Sequence, residues 1–95
     1  MFPPLAAKLA EFDRQVRLQK GPAWAIYADA QRAIGRGSAI AGEPAFPLFM
    51  PLGDVMTKVI AFLRWHYNVE LALDALGKAT LDGILFDVMQ HFASL

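Results

Sequence analysis

The sequence predicts an all-α fold, a small four-helix bundle-like domain with a long Gly/Pro-rich apolar loop between its second and third helices. Three observations favour this fold. Large apolar residues recur at steps of three and four, β-branched residues follow the same spacing instead of alternating, and glycines and prolines separate the periodic segments. Because the chain has 95 residues, we expect a single helical domain spanning residues 1–95.

The first two predicted helices cover approximately residues 4–20 and 22–34. Two prolines precede the first apolar stripe, as suits the first turn of a helix, and Gly21 is expected to end this helix. The second helix is rich in alanine, and we expect Gly35 and Gly37 to end it. The first stripe consists of Leu5, Leu9, Phe12 and Val16.

The third and fourth predicted helices cover approximately residues 54–76 and 80–94. Asp54 is a candidate N-cap, and the apolar seam after it is the clearest pattern in the chain. Gly77 is expected to end the third helix, and Thr80 to cap the fourth. The seam is Val55, Val59, Phe62, His66, Val69, Leu73 and Leu76. The apolar face of the fourth helix is Leu81, Ile84, Leu85, Val88, Met89, Phe92 and Leu95.

The predicted loop over residues 35–53 combines turn-forming and large apolar residues. Four glycines and three prolines disfavour regular structure, while its second half is too apolar for a solvated linker. We therefore expect this half to cover a helix pair or to insert into a partner. The residues predicted to line this interface or apolar groove are Trp24, Tyr27, Phe46, Phe49 and Met50.

Two histidine–carboxylate pairs are the candidates for a metal-binding or pH-sensitive site. His66 and Glu70 stand one helical turn apart, as do Asp87 and His91. If the last two predicted helices are antiparallel, both pairs lie at one level of the bundle, which is how bundle cores build metal sites. The alternative interpretation is structural, with His66 as a hydrogen-bonded core residue and both pairs as contacts within a helix.

Composition argues against several classes of function. Nine basic and nine acidic residues cancel, which does not fit a nucleic-acid-binding surface. Without cysteines, the chain has no disulfides or thiol chemistry. The longest uncharged stretch is ten residues and contains proline, so we predict no transmembrane segment. We also predict no secretory signal, a cytoplasmic location and no cofactor.

The sequence therefore predicts a small protein-interaction module that self-associates as a homodimer through its apolar loop and a helix face, with binding to another protein as the other possible association. The chain is more apolar than so small a core can hide, since 56% of its residues are hydrophobic. No catalytic motif is found, and the few polar groups are scattered over separate helices, which argues against an enzyme. The alternative is a helical protein that binds a metal or an apolar small molecule in a pocket between helices.

Overall fold

Five α-helices form the part of the chain that a computed structural model describes, residues 3–41 and 50–95, with side chains described for residues 3–32 and 53–95. The helices are α1 (Pro3–Leu18), α2 (Gly21–Ala41), α3 (Met50–Tyr67), α4 (Ala72–Asp82) and α5 (Leu85–Ala93). The described ranges contain no β-strand, so the all-α prediction is confirmed. None of these helices combines the length and apolar character needed to cross a membrane.

Helix α3 is the centre of the fold, because it packs against each of the other four helices. Its buried residues lie on the predicted seam and beside it, and include Val59, Phe62 and Leu63. The amphipathic spacing of α1 and α5 brings their apolar stripes onto this helix. The buried residues form one cluster: Leu5, Leu9, Phe12, Ala23, Tyr27, Ala30, Val59, Ala61, Phe62, Leu63, Ala75, Ala79, Val88 and Phe92.

Phe12 lies at the middle of an aromatic group in this core. Its ring is fully buried and meets the rings of Phe62 and Phe92 edge-on, with centroids 5.6 and 5.4 Å away. Tyr27 and Trp65 lie slightly farther out, at 6.5 and 6.1 Å. Edge-to-face pairs are favourable because the positive edge of one ring meets the negative face of another. Four of the five helices thus meet at one side chain.

Three helices end in the same backbone motif. At the end of α1, Gln19 has a φ of 55°, and the Lys20 and Gln19 N–H groups donate to the carbonyls of Gln15 and Val16. The same pair of hydrogen bonds closes α3 at Asn68 and α4 at Gly83, whose φ values are 54° and 71°. This is the Schellman arrangement, in which a left-handed residue satisfies the last carbonyls of a helix.

The predicted third helix, 54–76, is wrong in its second half. Asn68 ends α3, a short connection follows, and α4 spans the whole predicted link to the fourth helix, 77–79. Gly77 therefore lies inside α4 instead of ending a helix. Thr80 also lies within α4, where its hydroxyl donates to the Leu76 carbonyl instead of capping a new helix. The described chain has five helices where four were predicted.

Helices occupy both ends of the predicted loop, 35–53. Helix α2 continues through Gly35 and Gly37 to Ala41, and α3 begins at Met50, before the predicted cap. Asp54 is consequently inside α3, where its carboxylate accepts a hydrogen bond from the Tyr27 hydroxyl at 2.8 Å. Of the apolar half of the predicted loop, 46–52, residues 46–49 lie outside the described ranges, and the side chains of residues 50–52 lie outside the described set.

Candidate functional site

A cleft of about 670 Å³ opens between the start of α1, the end of α3 and the α4–α5 connection. We call it the His66 cleft. Its volume falls in the range of small-molecule pockets, roughly 300–1,000 Å³. It is lined by Pro4, Leu5, Lys8, His66, Asp82, Gly83, Ile84 and Asp87. The lining thus combines apolar side chains with four titratable ones.

Two of the charged groups in the His66 cleft already have partners within the fold. The Lys8 ammonium lies 4.4 Å from the centre of the Trp65 ring, a cation–π contact that ties α1 to α3. The Tyr67 hydroxyl donates to an Asp82 carboxylate oxygen at 2.6 Å, which ties α3 to α4. Burial raises the pKa of Tyr67, and this hydrogen bond raises it further by a smaller amount, so the phenol stays a donor at neutral pH. These contacts stabilise the helix arrangement.

His66 sits against the aromatic core at the wall of the cleft. Its ring stacks on Phe62 with centroids 5.5 Å apart and planes 12° from parallel, and the Tyr67 ring meets it edge-on at 4.7 Å. The Nδ1 atom is buried and has no hydrogen-bond partner within the described residues. Burial lowers the pKa of His66, with help from the positive charge of Lys8, while Asp82 opposes the change. The imidazole is therefore neutral at neutral pH.

The pKa of His66 predicts how stability depends on pH. Because the folded pKa lies below the ordinary value of 6.5, the unfolded chain binds a proton more readily than the folded one. The contribution of His66 to the free energy of unfolding is fully present above pH 6.5. It is lost as the pH falls from 6.5 towards the folded pKa of His66. Urea unfolding between about pH 7.5 and about pH 5 should show wild type losing more stability than His66→Phe, which keeps the ring stack. Equal losses in the two proteins would contradict this account.

The other predicted metal or pH-sensitive residues are distributed between the cleft and the surface. Asp87 lines the His66 cleft, while His91 turns to α1, where its Nε2 lies 2.7 Å from an Asp13 carboxylate oxygen. Glu70 is exposed in the connection between α3 and α4. Within the described ranges, no three histidine or carboxylate side chains come together as a metal site.

The predicted interface residues also lie in different environments. Tyr27 is buried in the core and bonded to Asp54, and burial and that carboxylate raise its pKa to about 12. Trp24 is half-buried against the core. Phe46 and Phe49 lie outside the described ranges, and Met50 begins α3 with its side chain outside the described set.

Large apolar side chains are exposed on α4 and α5. Leu73, Leu81 and Phe86 are 82%, 88% and 72% exposed, and Met89 is also exposed. Alanines 75 and 79 form the buried side of α4, so at 100° per residue Leu73 and Leu81 lie on the opposite side of that helix. The prediction that Leu81 belongs to an inward apolar face is wrong because it belongs to α4 and not to the final helix.

Sequence reasoning missed the long-range partners of Trp65, Tyr67 and His91, and the outward orientation of two leucines on α4. Lys8, Asp82 and Asp13 contact residues far away in the chain, and no short motif marks such contacts. The outward orientation of Leu73 and Leu81 could have been predicted from Asn68, because asparagine tolerates the left-handed conformation that ends a helix. A helix restarted after Asn68 turns the remaining apolar positions to a different side.

Comparison with protein-family models, curated proteins and solved structures gives no match to this chain. The function is therefore argued from its own surfaces.

Proposed function

We propose that this protein is a small helical interaction module that self-associates through the outer side of α4, with exposed residues of α5 contributing. One observation carries the proposal: three large apolar side chains in this helix pair, Leu73, Leu81 and Phe86, are each more than two-thirds exposed. Isolated exposed apolar residues are ordinary, but several large ones on adjacent elements mark interaction surfaces.

The chemistry of the His66 cleft favours association over catalysis. Lys8 and Asp82 are engaged with Trp65 and Tyr67, and His91 points to Asp13 on another part of the surface. An enzyme needs several polar groups that converge on one reacting atom. In the described structure two of the four titratable groups of the cleft, Lys8 and Asp82, instead join helices.

The free energy available from these side chains is sufficient for a dimer. Burying a leucine or phenylalanine side chain contributes about 1.5–3 kcal/mol, and a symmetric dimer would bury six of them. The gross stabilisation of roughly 9–18 kcal/mol exceeds the lower estimates of the cost of association, about 4 kcal/mol. We therefore expect a dissociation constant in the micromolar range, about −8 kcal/mol.

The predicted contribution of Phe46, Phe49 and Met50 remains part of the proposal. These residues are apolar, closely spaced and flanked by prolines, a composition that suits an apolar segment placed against a partner. This part rests on sequence alone, so it is tested separately below.

Sedimentation equilibrium tests the proposal directly. At neutral pH, wild type should show a mass near twice 10.5 kDa, and Leu73→Asp with Leu81→Asp should shift it towards the single-chain value. These positions are exposed in the described structure, so circular dichroism should show the helices intact. Leu18→Asp is the matched control, since Leu18 is an exposed leucine on α1.

Two outcomes would change the conclusion. If wild type remains a monomer at about 100 μM, the self-association proposal is wrong, because the expected micromolar affinity would have produced a dimer. If Phe46→Asp with Phe49→Asp shifts the mass and the α4 substitutions do not, the interface lies in the loop instead of on α4.

A further inference from the structure

The outer side of α4 has a short symmetric pattern. Leu73, Gly77 and Leu81 are spaced four residues apart, so they lie along one side of the helix with the leucines about 12 Å apart along its axis. Viewed along the helix axis, the two leucines lie about 40° to either side of Gly77. Both leucines are more than four-fifths exposed. We call this set the α4 ridge.

Gly77 is not required by the backbone of α4. The described glycines with positive φ are Gly21 and Gly83, and Gly77 is in the middle of a regular helix. A Cβ at Gly77 would meet nothing within 4 Å. Because glycine inside a helix is less favourable than alanine, its position here has no local explanation. Its effect on the surface is a gap between two leucines in which another helix backbone can approach closely.

Charged residues flank the same ridge on one side. Asp74 and Lys78 stand about 60° and 100° around the helix from Gly77, in the same direction. They are one turn apart in a single chain, yet neither takes part in an ion pair within 4 Å among the described residues. The opposite flank, at Thr80, is uncharged.

We propose, building on the proposed self-association, that two copies of this chain pack α4 against α4 antiparallel about a two-fold axis at Gly77. Leu73 then contacts the partner subunit's Leu81, and the two glycines face each other at the axis. A two-fold interface must be complementary to itself, and a leucine–glycine–leucine pattern centred on the axis satisfies that condition.

The charges agree with this arrangement. Along the axis of α4, Asp74 lies about 4.5 Å to one side of Gly77 and Lys78 about 1.5 Å to the other. The two-fold rotation brings the partner subunit's Lys78 to the side occupied by Asp74, about 3 Å away along the axis. Two Asp74–Lys78 ion pairs therefore form between the subunits, and they offset the repulsion between the two Lys78 side chains, which the same rotation also brings about 3 Å apart along the axis. Charge complementarity of this kind selects a second copy in one register.

Cross-linking tests the register, because the chain has no cysteines. Gly77→Cys should form a disulfide-linked dimer rapidly under mild oxidation, since residues at the axis come within the Cα separation that a disulfide needs, about 4.4–6.8 Å. Ala10→Cys, at an exposed position of α1, is the matched control and should cross-link slowly. If the protein dimerises but both variants cross-link at the same slow rate, the register is wrong while the proposed function stands.

Charge reversal is a second test that leaves Gly77 unchanged. Asp74→Lys and Lys78→Asp should each weaken the dimer about tenfold, because each replaces two attractive pairs by two repulsive ones. The double variant should regain wild-type affinity, and all three proteins should remain equally helical. If the double variant associates no better than the single ones, the proposed ion pairs are absent and the register is overturned. A monomeric wild type would overturn the self-association and the register together.

Discussion

Phe12→Ala is expected to lower the free energy of unfolding by about 3–5 kcal/mol, the range found for phenylalanine-to-alanine changes in packed cores. Phe12 is fully buried and contacts aromatic rings from α2, α3 and α5, so its removal leaves a cavity shared by four helices. A domain of this size has about 5–15 kcal/mol in total. The expected loss is therefore about a fifth or more of the total stability, from a single side chain.

Urea unfolding followed by circular dichroism measures this loss. Phe12→Leu should cost less than the alanine variant because it keeps more of the side-chain volume, and Leu18→Ala, at an exposed position of the same helix, should change stability by less than about 0.5 kcal/mol. All proteins should be compared at one concentration, since association stabilises the folded state. A loss at Phe12 no greater than that at Leu18 would show that the aromatic group is not the centre of the core.

Gly21→Ala should lower the free energy of unfolding by about 2–4 kcal/mol, from left-handed backbone strain and loss of a helix cap. Gly21 has a φ of 89°, and an added Cβ would lie 2.6 Å from the Gln15 side-chain oxygen. That oxygen accepts a hydrogen bond from the Ala23 N–H at 2.8 Å, in the first turn of α2. The substitution thus displaces the group that satisfies the start of α2.

Gly53→Ala is the matched control for this prediction. Gly53 lies in the first turn of α3, and an added Cβ would meet nothing within 4 Å. Alanine should therefore be tolerated there or stabilise the protein by up to about 1 kcal/mol. Thermal unfolding monitored by circular dichroism separates the two variants, and an equal effect at both positions would contradict the role assigned to Gln15.

The core could be predicted from the sequence better than the helix ends. Leu5, Leu9 and Phe12 recur at helical spacing and are all buried, because the period of the apolar residues records which side faces the interior. Helix ends depend on the backbone conformation of single residues. The sequence predicts a helix end at Gly77, but this residue lies inside α4, and the left-handed residues that end α3 and α4 are Asn68 and Gly83.

The candidate surfaces were harder to predict for the same reason. The seam appeared continuous because Val69 and Leu73 happen to preserve its spacing across the break at Asn68. Once the helix restarts, Leu73 faces outwards. The His66 cleft depends on tertiary contacts between α1, α3 and the α4–α5 connection, and such contacts leave no local pattern in a sequence.

The contact between Phe12 and Phe92 also has a consequence during synthesis of the protein. The two rings are eighty positions apart in the chain, yet their centroids are 5.4 Å apart in the core. At about 5–20 residues per second, a ribosome needs roughly 4–16 seconds to add α5 after Phe12 has been made. A helix can form in about a microsecond, so helix formation is not what delays completion of the core. Until Phe92 has been added, Phe12 lacks a ring that completes its packing, as does Phe62 once it has been made. We expect the nascent chain to be most prone to bind chaperones or other chains during this time.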